Sequence, residues 1–133
     1  MNSFLLVFDL VVTVLLVFWL VTYVIGRYRR SRYATVLSQD EFQKGSHKAQ
    51  VIDLRQKTDF DRGHILGARN LPYAFMKQQY GELRADLPIY MYDEGMSMST
   101  NAAVFLGRRG YKKLYILDGG YAKWNGKTKK AKY

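Results

Sequence analysis

Cysteine is absent from all 133 residues of this chain, and histidine occurs only at His47 and His64. The absence of cysteine excludes disulfides, thiolate nucleophiles, persulfide carriers and cysteine-based metal sites. Two histidines and scattered carboxylates are a poor ligand set for zinc. The sequence therefore predicts neither a metal site nor a cofactor.

The chain does contain one long apolar run, at residues 4–25, interrupted by the single charge of Asp9. As a helix this run reaches roughly 33 Å, enough for a hydrocarbon core of about 30 Å, so we predict a transmembrane anchor at residues 1–26. A cleaved signal peptide is the alternative, but no basic residue precedes the run and no small-x-small pattern follows it. We expect Asp9 to reach outer headgroups or to be protonated, or else to contact another membrane helix.

Basic residues follow the apolar run directly and form a juxtamembrane linker at residues 27–34. Its arginines are Arg27, Arg29, Arg30 and Arg32. Because such residues favour the cytoplasmic side, the sequence predicts a single-pass protein of the cell membrane with its N-terminus outside and its domain in the cytoplasm. The same arginines are expected to bind the anionic inner leaflet.

The net charge of the chain is +10. Part of this charge lies in residues 126–133, which we interpret as a basic C-terminal tail. Its lysines are Lys127, Lys129, Lys130 and Lys132. The tail either lies along an anionic membrane or is solvated. No recognisable nucleic-acid-binding module accompanies the charge, so nucleic acid is not an expected partner.

Residues 35–125 have the pattern of one α/β domain. Ser38 and Glu41 form a capping box that predicts a short helix ending near Gly45. Short apolar runs at 51–54, 88–92 and 114–117 predict buried parallel strands, and the spacing at 99–109 predicts a helix. Ligands of such sheets collect at the carboxyl ends of the strands, where the loop at residues 93–98 lies.

Two segments carry a resemblance to a known family. Residues 51–73, VIDLRQKTDFDRGHILGARNLPY, resemble the first signature of the rhodanese family, and residues 89–124 resemble its second half, including the ending from Gly119-Gly120 to Trp124. The likeness covers about residues 35–124. It implies a rhodanese-like five-stranded parallel sheet flanked by helices.

The first signature has a structural interpretation. Asp53 and Arg55 point the same way from a strand end and are spaced to pair, or to bond loop backbone. The resemblance implies that His64 is a supporting residue that bonds neighbouring backbone. Gly67, Ala68 and Asn70 fit a tight turn, and Leu66 stands where the family often has proline.

The second half decides the chemistry. In rhodaneses the residue directly after this strand is a cysteine, whereas here it is Asp93. The loop then continues to the helix N-cap that we predict at Ser99, through Glu94, Gly95, Met96, Ser97 and Met98. A carboxylate cannot carry sulfur as a persulfide, so the resemblance and the substitution together predict an inactive sulfurtransferase. Met98 matches the family's loop arginine, and Glu94 adds negative charge that should repel thiosulfate.

Two roles remain open for Asp93. It either locks the loop, with its carboxylate at the backbone N–H groups of the helix start, or forms the acidic centre of a partner-binding surface with Met96 and Met98. The first functional hypothesis is therefore a non-catalytic, membrane-tethered module that binds a membrane-associated protein or an anion. The alternatives are an enzyme that uses Asp93 for phosphoryl transfer, with Glu94 and Asp53 as helpers, and a residual sulfurtransferase-related role.

Overall fold

The computed structural model describes residues 2–130 and has the α/β architecture that the sequence predicts. Its helices are α1 (Ser3–Tyr33), α2 (Gln39–Gly45), α3 (Lys57–Arg62), α4 (Met76–Gln79) and α5 (Ser97–Gly107). Its strands are β1 (Thr35–Leu37), β2 (Gln50–Asp53), β3 (His64–Ile65), β4 (Arg69–Asn70), β5 (Ile89–Tyr92), β6 (Leu114–Leu117) and β7 (Thr128–Lys129). Lys132, one of the lysines of the predicted tail, lies outside the described residues.

Helix α1 is 31 residues long, and the side chain of Asn2 caps its start by accepting from the N–H of Phe4. None of its residues is buried, although most of its side chains are apolar. The helix is long and apolar enough to cross a bilayer. The residues predicted as a linker are helical as far as Tyr33, so the basic segment is a continuation of α1.

Strands β1, β6, β5, β2 and β4 form, in that order, one sheet in which all pairs are parallel. The predicted five-stranded sheet is thus confirmed. Most residues of β2, β5 and β6 are buried, and Tyr90 and Tyr115 are half-buried, as expected for strands covered by helices on both faces. The apolar residues form two clusters, one with α5 and α4, the other with α2 and Trp124.

A separate two-stranded antiparallel ribbon joins β3 to β7, with His64 opposite Lys129 and Ile65 opposite Thr128. The backbone N–H of Leu66 also donates to the carbonyl of Lys127. The structure therefore differs from the predicted tail at residues 126–133, because this pairing makes residues 127–129 part of the folded domain.

Helix α1 packs against α5. The two helices are so close that position 107 has no room for a side chain, since a Cβ at Gly107 would lie 2.5 Å from a ring carbon of Tyr33. Tyr33 and Ala34 also pack against the core cluster that contains α5. On the same side, Arg30 Nη1 donates to Thr100 Oγ1 at 3.4 Å. The long apolar helix and the domain are therefore joined by side-chain packing as well as by the chain.

Candidate functional site

Asp93 follows β5 directly at the carboxyl edge of the sheet and is only 4% exposed. One carboxylate oxygen, Oδ2, accepts from the backbone N–H of Met98 at 3.0 Å. The other, Oδ1, accepts from the backbone N–H of Ser99 at 3.3 Å and from its hydroxyl at 2.5 Å. Both oxygens of the carboxylate are therefore held by the residues that follow it.

These bonds make Asp93 the cap of α5. The helix begins at Ser97, and Met96 at the N-cap position makes no side-chain capping bond. The prediction of Ser99 as N-cap was wrong, because Ser99 lies in the first turn and its N–H is one of those that need an acceptor. Asp93 supplies that acceptor from outside the helix, and its negative charge lies at the positive end of the helix dipole.

The outer side of the loop is braced by the segment that follows β6. The backbone N–H of Tyr121 donates to the carbonyl of Asp93 at 2.8 Å, and that of Ala122 to the carbonyl of Glu94 at 3.0 Å. Gly120 allows this approach because its φ is +66°, and because a Cβ there would lie 2.2 to 2.8 Å from the carbonyl oxygens of residues 93–95. Gly120 thus lets the segment after β6 pack directly on the loop.

Arg55 links the base of the site to the loop. Its guanidinium binds both carboxylate oxygens of Asp53, with Nη2 to Oδ2 at 2.8 Å, and donates to the carbonyl of Gly63 at 2.6 Å. Both contacts that the sequence left open for this pair are present. Burial lowers the pKa of Arg55, but hydrogen bonding to Asp53 and its negative charge outweigh burial and raise the pKa above the ordinary arginine value.

Arg55 contacts a second carboxylate, a pairing that the sequence does not reveal. Its Nη1 lies 3.3 Å from Oε2 of Glu94, whose side chain is 65% exposed. The guanidinium also lies over the ring of Tyr121, with Cζ 4.1 Å from the ring centre. The negative charge of Glu94, which we expected to repel anions, is therefore paired with the positive charge of Arg55.

Tyr92 and His64 support this network from the side of β3. The backbone N–H of Ile65 donates to the buried hydroxyl of Tyr92 at 3.0 Å. Burial, and after it the negative charge of Asp53, raises the pKa of Tyr92 well above the ordinary tyrosine value. His64 is buried, its Nδ1 lies 2.7 Å from the carbonyl of Phe60, and its ring stacks on that of Phe60.

The turn residues of the first signature occupy two elements. Gly67 has a φ of +89°, as a tight turn requires, and Ala68 follows it. Asn70 was expected in the same turn but lies in β4. From there its amide donates to the carbonyls of Asp53 and Arg55 at 3.1 and 2.9 Å. Asn70 therefore fixes the backbone that carries the Asp53–Arg55 pair.

The two methionines of the loop have different surroundings. Met98 is 43% exposed, whereas Met96 is half-buried and packs against the core cluster of α5. The partner-binding surface of Asp93, Met96 and Met98 stays a prediction, and core packing removes much of Met96 from solvent. Ser97, Glu94 and Gly95 are exposed beside Met98.

The three carboxylates of the site all have partners. Both oxygens of Asp93 are engaged, and the two expected helpers of phosphoryl transfer, Asp53 and Glu94, are paired with Arg55. Within residues 2–130, no three His, Asp or Glu side chains are grouped as a metal site requires. The site is a closed loop whose N–H groups bind the carboxylate of Asp93.

Comparison with known proteins identifies the family. Residues 38–127 match the family described as Rhodanese-like domain. The uncharacterized protein YqhL of Bacillus subtilis is 42% identical over 113 residues, which are 84% of this chain and 90% of that protein. The thiosulfate sulfurtransferase GlpE of Shewanella oneidensis is 34% identical over 76 residues, 57% of this chain and 75% of that enzyme.

Solved structures have the same fold. A rhodanese-related protein from Thermoplasma volcanium superposes with a TM-score of 0.67 at 17% identity, over 71% of this chain and 97% of that one. A thiosulfate sulfurtransferase from Pseudomonas aeruginosa superposes with a TM-score of 0.65 at 27% identity, over 73% of this chain and 20% of that one. With its strand order, its loop and its two signature segments, the chain belongs to the rhodanese-like domain family.

Proposed function

We propose that this protein is a non-catalytic rhodanese-like module that is held at a membrane by α1 and binds a protein partner there through its loop. The observation that carries the proposal is the closure of the loop around Asp93. Sulfur transfer in this family requires a thiolate as carrier, and the chain has no cysteine. A carboxylate bound by three donors keeps the loop shape without that chemistry.

Membrane attachment follows from the composition of α1. Its apolar side chains are exposed in the isolated chain, and a bilayer is the environment that removes them from water. Arg27, Arg29, Arg30 and Arg32 follow the apolar segment, which favours a cytoplasmic domain and an outer N-terminus. The domain then stays close to the inner leaflet, since α1 packs against α5.

The partner-binding surface consists of the exposed side chains of the loop, chiefly those of Glu94 and Met98. Met98 offers a flexible thioether beside the carboxylate of Glu94, and the backbone beneath them is held by Asp93 and Gly120. A rigid surface that combines apolar and charged groups suits a protein partner, because binding to it costs little conformational entropy.

The catalytic half of the proposal is tested on the full chain, purified in detergent, with thiosulfate and cyanide. The wild type should form no thiocyanate above the protein-free rate, and intact mass measurement should find no added sulfur atom. The Asp93→Cys variant should acquire an added sulfur atom on incubation with thiosulfate, because its thiolate, held by the N–H groups of the loop, can attack the outer sulfur and break its bond to the other sulfur, which leaves as sulfite. Sulfur transfer by the wild type would overturn the proposal.

The binding half is tested by proximity labelling from the C-terminus in intact membranes. The double variant Glu94→Lys and Met98→Ser should lose the partners that the wild type labels. The control is Phe75→Ser, which removes an apolar side chain of similar exposure away from the loop. Equal labelling by all three proteins would exclude the loop as the binding surface.

A further inference from the structure

A cavity of about 290 Å³ lies between α1 and α5, beside the loop. The cavity is lined from α1 by residues at the three- and four-residue spacing of a single helix face, which are Thr22, Ile25, Gly26, Arg29 and Arg30. The facing wall belongs to α5 and consists of Ser97, Thr100 and Asn101. The cavity therefore lies where the apolar helix meets the domain.

The two arginines of the cavity, Arg29 and Arg30, are both half-buried. Among residues 2–130 neither forms an ion pair. Helix α5 contains no charged residue, and Asp9, near the far end, is the only acidic residue of α1. The carboxylates of the neighbouring loop are engaged elsewhere, Asp93 with Ser99 and Glu94 with Arg55. The cavity is therefore cationic and has room for an anion.

The position of the cavity indicates the kind of anion. The apolar run ends at Ile25 and the arginines follow, so in a bilayer the cavity lies at the depth of the lipid headgroups. Guanidinium groups bind phosphate in a forked geometry. The hydroxyl of Ser97 and the amide of Asn101 add groups suited to headgroup hydroxyls. In the part of the chain that the structure describes, the cavity lining has no carboxylate to bind a headgroup amine.

From these observations we infer that the cavity between α1 and α5 is a binding site for the phosphate of an anionic glycerophospholipid. Arg29 and Arg30 hold the phosphate, Asn101 contacts the headgroup, and Ile25 lies beside the start of the acyl chains. The inference rests on the membrane attachment proposed above. Such a lipid stabilises the packing of α1 on α5, because it contacts both helices.

The experiment uses the full chain. Alkaline carbonate extraction of cell membranes first tests attachment by itself, and release of the chain would overturn the proposed tether independently of any lipid preference. The retained protein is then purified in a zwitterionic detergent, mixed with equal amounts of phosphatidylglycerol and phosphatidylcholine, and examined by native mass spectrometry. The wild type should retain one phosphatidylglycerol with about tenfold preference or more.

Matched variants locate the binding. Arg29→Gln with Arg30→Gln should abolish the preference, whereas Arg27→Gln with Arg32→Gln, which removes the same charge outside the cavity, should keep it. Asn101→Leu should also abolish it by filling the cavity at unchanged net charge. The thermal transition of each variant is measured, so that loss of binding is separated from loss of folding.

Three results would overturn the inference. The first is a wild type without lipid preference. The second is an equal loss in both arginine pairs, which would show diffuse attraction to the membrane surface. The third is complete displacement of phosphatidylglycerol by inorganic phosphate, which would show a site for a soluble anion.

Discussion

Ser99 donates both its backbone N–H and its hydroxyl to a single carboxylate oxygen of Asp93, so that the residue after β5 and the first turn of α5 are bonded through one atom. This relationship explains how the loop keeps its shape without a thiolate. The first N–H groups of α5 have no acceptor within the helix and need one from elsewhere, whatever the chemistry of the site. The capping role of Asp93 can therefore be measured as a change in the free energy of unfolding.

Replacement of Asp93 by alanine should lower the free energy of unfolding by about 1 to 3 kcal/mol, because the part-buried N–H of Met98 and the buried N–H of Ser99 lose their acceptor. The measurement is urea unfolding of the full chain in detergent. Asp118 offers a matched control, since it follows β6 as Asp93 follows β5 but is exposed. Asp118→Ala should change the stability by less than about 0.5 kcal/mol. Equal effects of the two substitutions would contradict the capping role.

Replacement of Arg55 by methionine should cost about 3 to 5 kcal/mol, because the fully buried carboxylate of Asp53 loses its charge partner. Glu94→Gln, which removes the exposed partner of the same arginine, should cost less than about 1 kcal/mol. The two variants are compared by thermal unfolding. A larger effect at Glu94 would mean that the ion pair at the loop, and not the buried pair, holds the network.

Alanine at Gly120 should destabilise the domain by at least about 2 kcal/mol, since its Cβ would meet three carbonyl oxygens in a backbone region that only glycine adopts readily. Gly95 is the control in the same loop, because a Cβ there meets nothing within 4 Å. Gly95→Ala should therefore change the stability by less than about 0.5 kcal/mol. A small effect of Gly120→Ala would show that the packing of residues 120–122 on the loop is not needed for stability.

Stability should fall at alkaline pH in a way that depends on Tyr92. Its pKa is raised in the fold, so above about pH 10 the unfolded chain releases this proton while the folded chain keeps it. The contribution of Tyr92 is complete below the unfolded pKa and decreases by up to about 1.4 kcal/mol per pH unit above it.

Tyr92→Phe tests this dependence. The variant should be less stable than the wild type at neutral pH, because the N–H of Ile65 loses its acceptor, but its alkaline slope should be shallower by about one proton. Tyr73→Phe, at a half-buried position outside this network, should keep the wild-type slope. Parallel slopes for the wild type and Tyr92→Phe would contradict the assignment.

The parts of the fold that could be predicted are those with a local signal. The runs that became β2, β5 and β6 are apolar and bounded by turn residues, and the capping box at Ser38 and Glu41 begins α2 as predicted. Strands β1 and β4 have only three and two residues, and β1 has a single buried residue, so they lack a pattern of their own. The full number of strands came from the family resemblance alone.

The site could be predicted in part. The place of Asp93, the pairing of Asp53 with Arg55 and the supporting position of His64 all follow from spacing or resemblance. The pairing of Arg55 with Glu94 joins residues 39 positions apart, and the brace from Tyr121 crosses between strands, so neither has a local signal. The start of α5 was misplaced because its cap comes from outside the helix, whereas the capping rule assumes an adjacent residue.

Gly107 offers a marker that can be sought in other rhodanese-like sequences. The ring of Tyr33 lies where any larger residue at position 107 would put its first carbon, so the close fit of α1 on α5 depends on one missing side chain. A glycine at this position in a sequence with an N-terminal apolar helix therefore predicts the same seat for that helix. A bulkier residue there predicts that the ring is displaced and that the helix meets the domain differently.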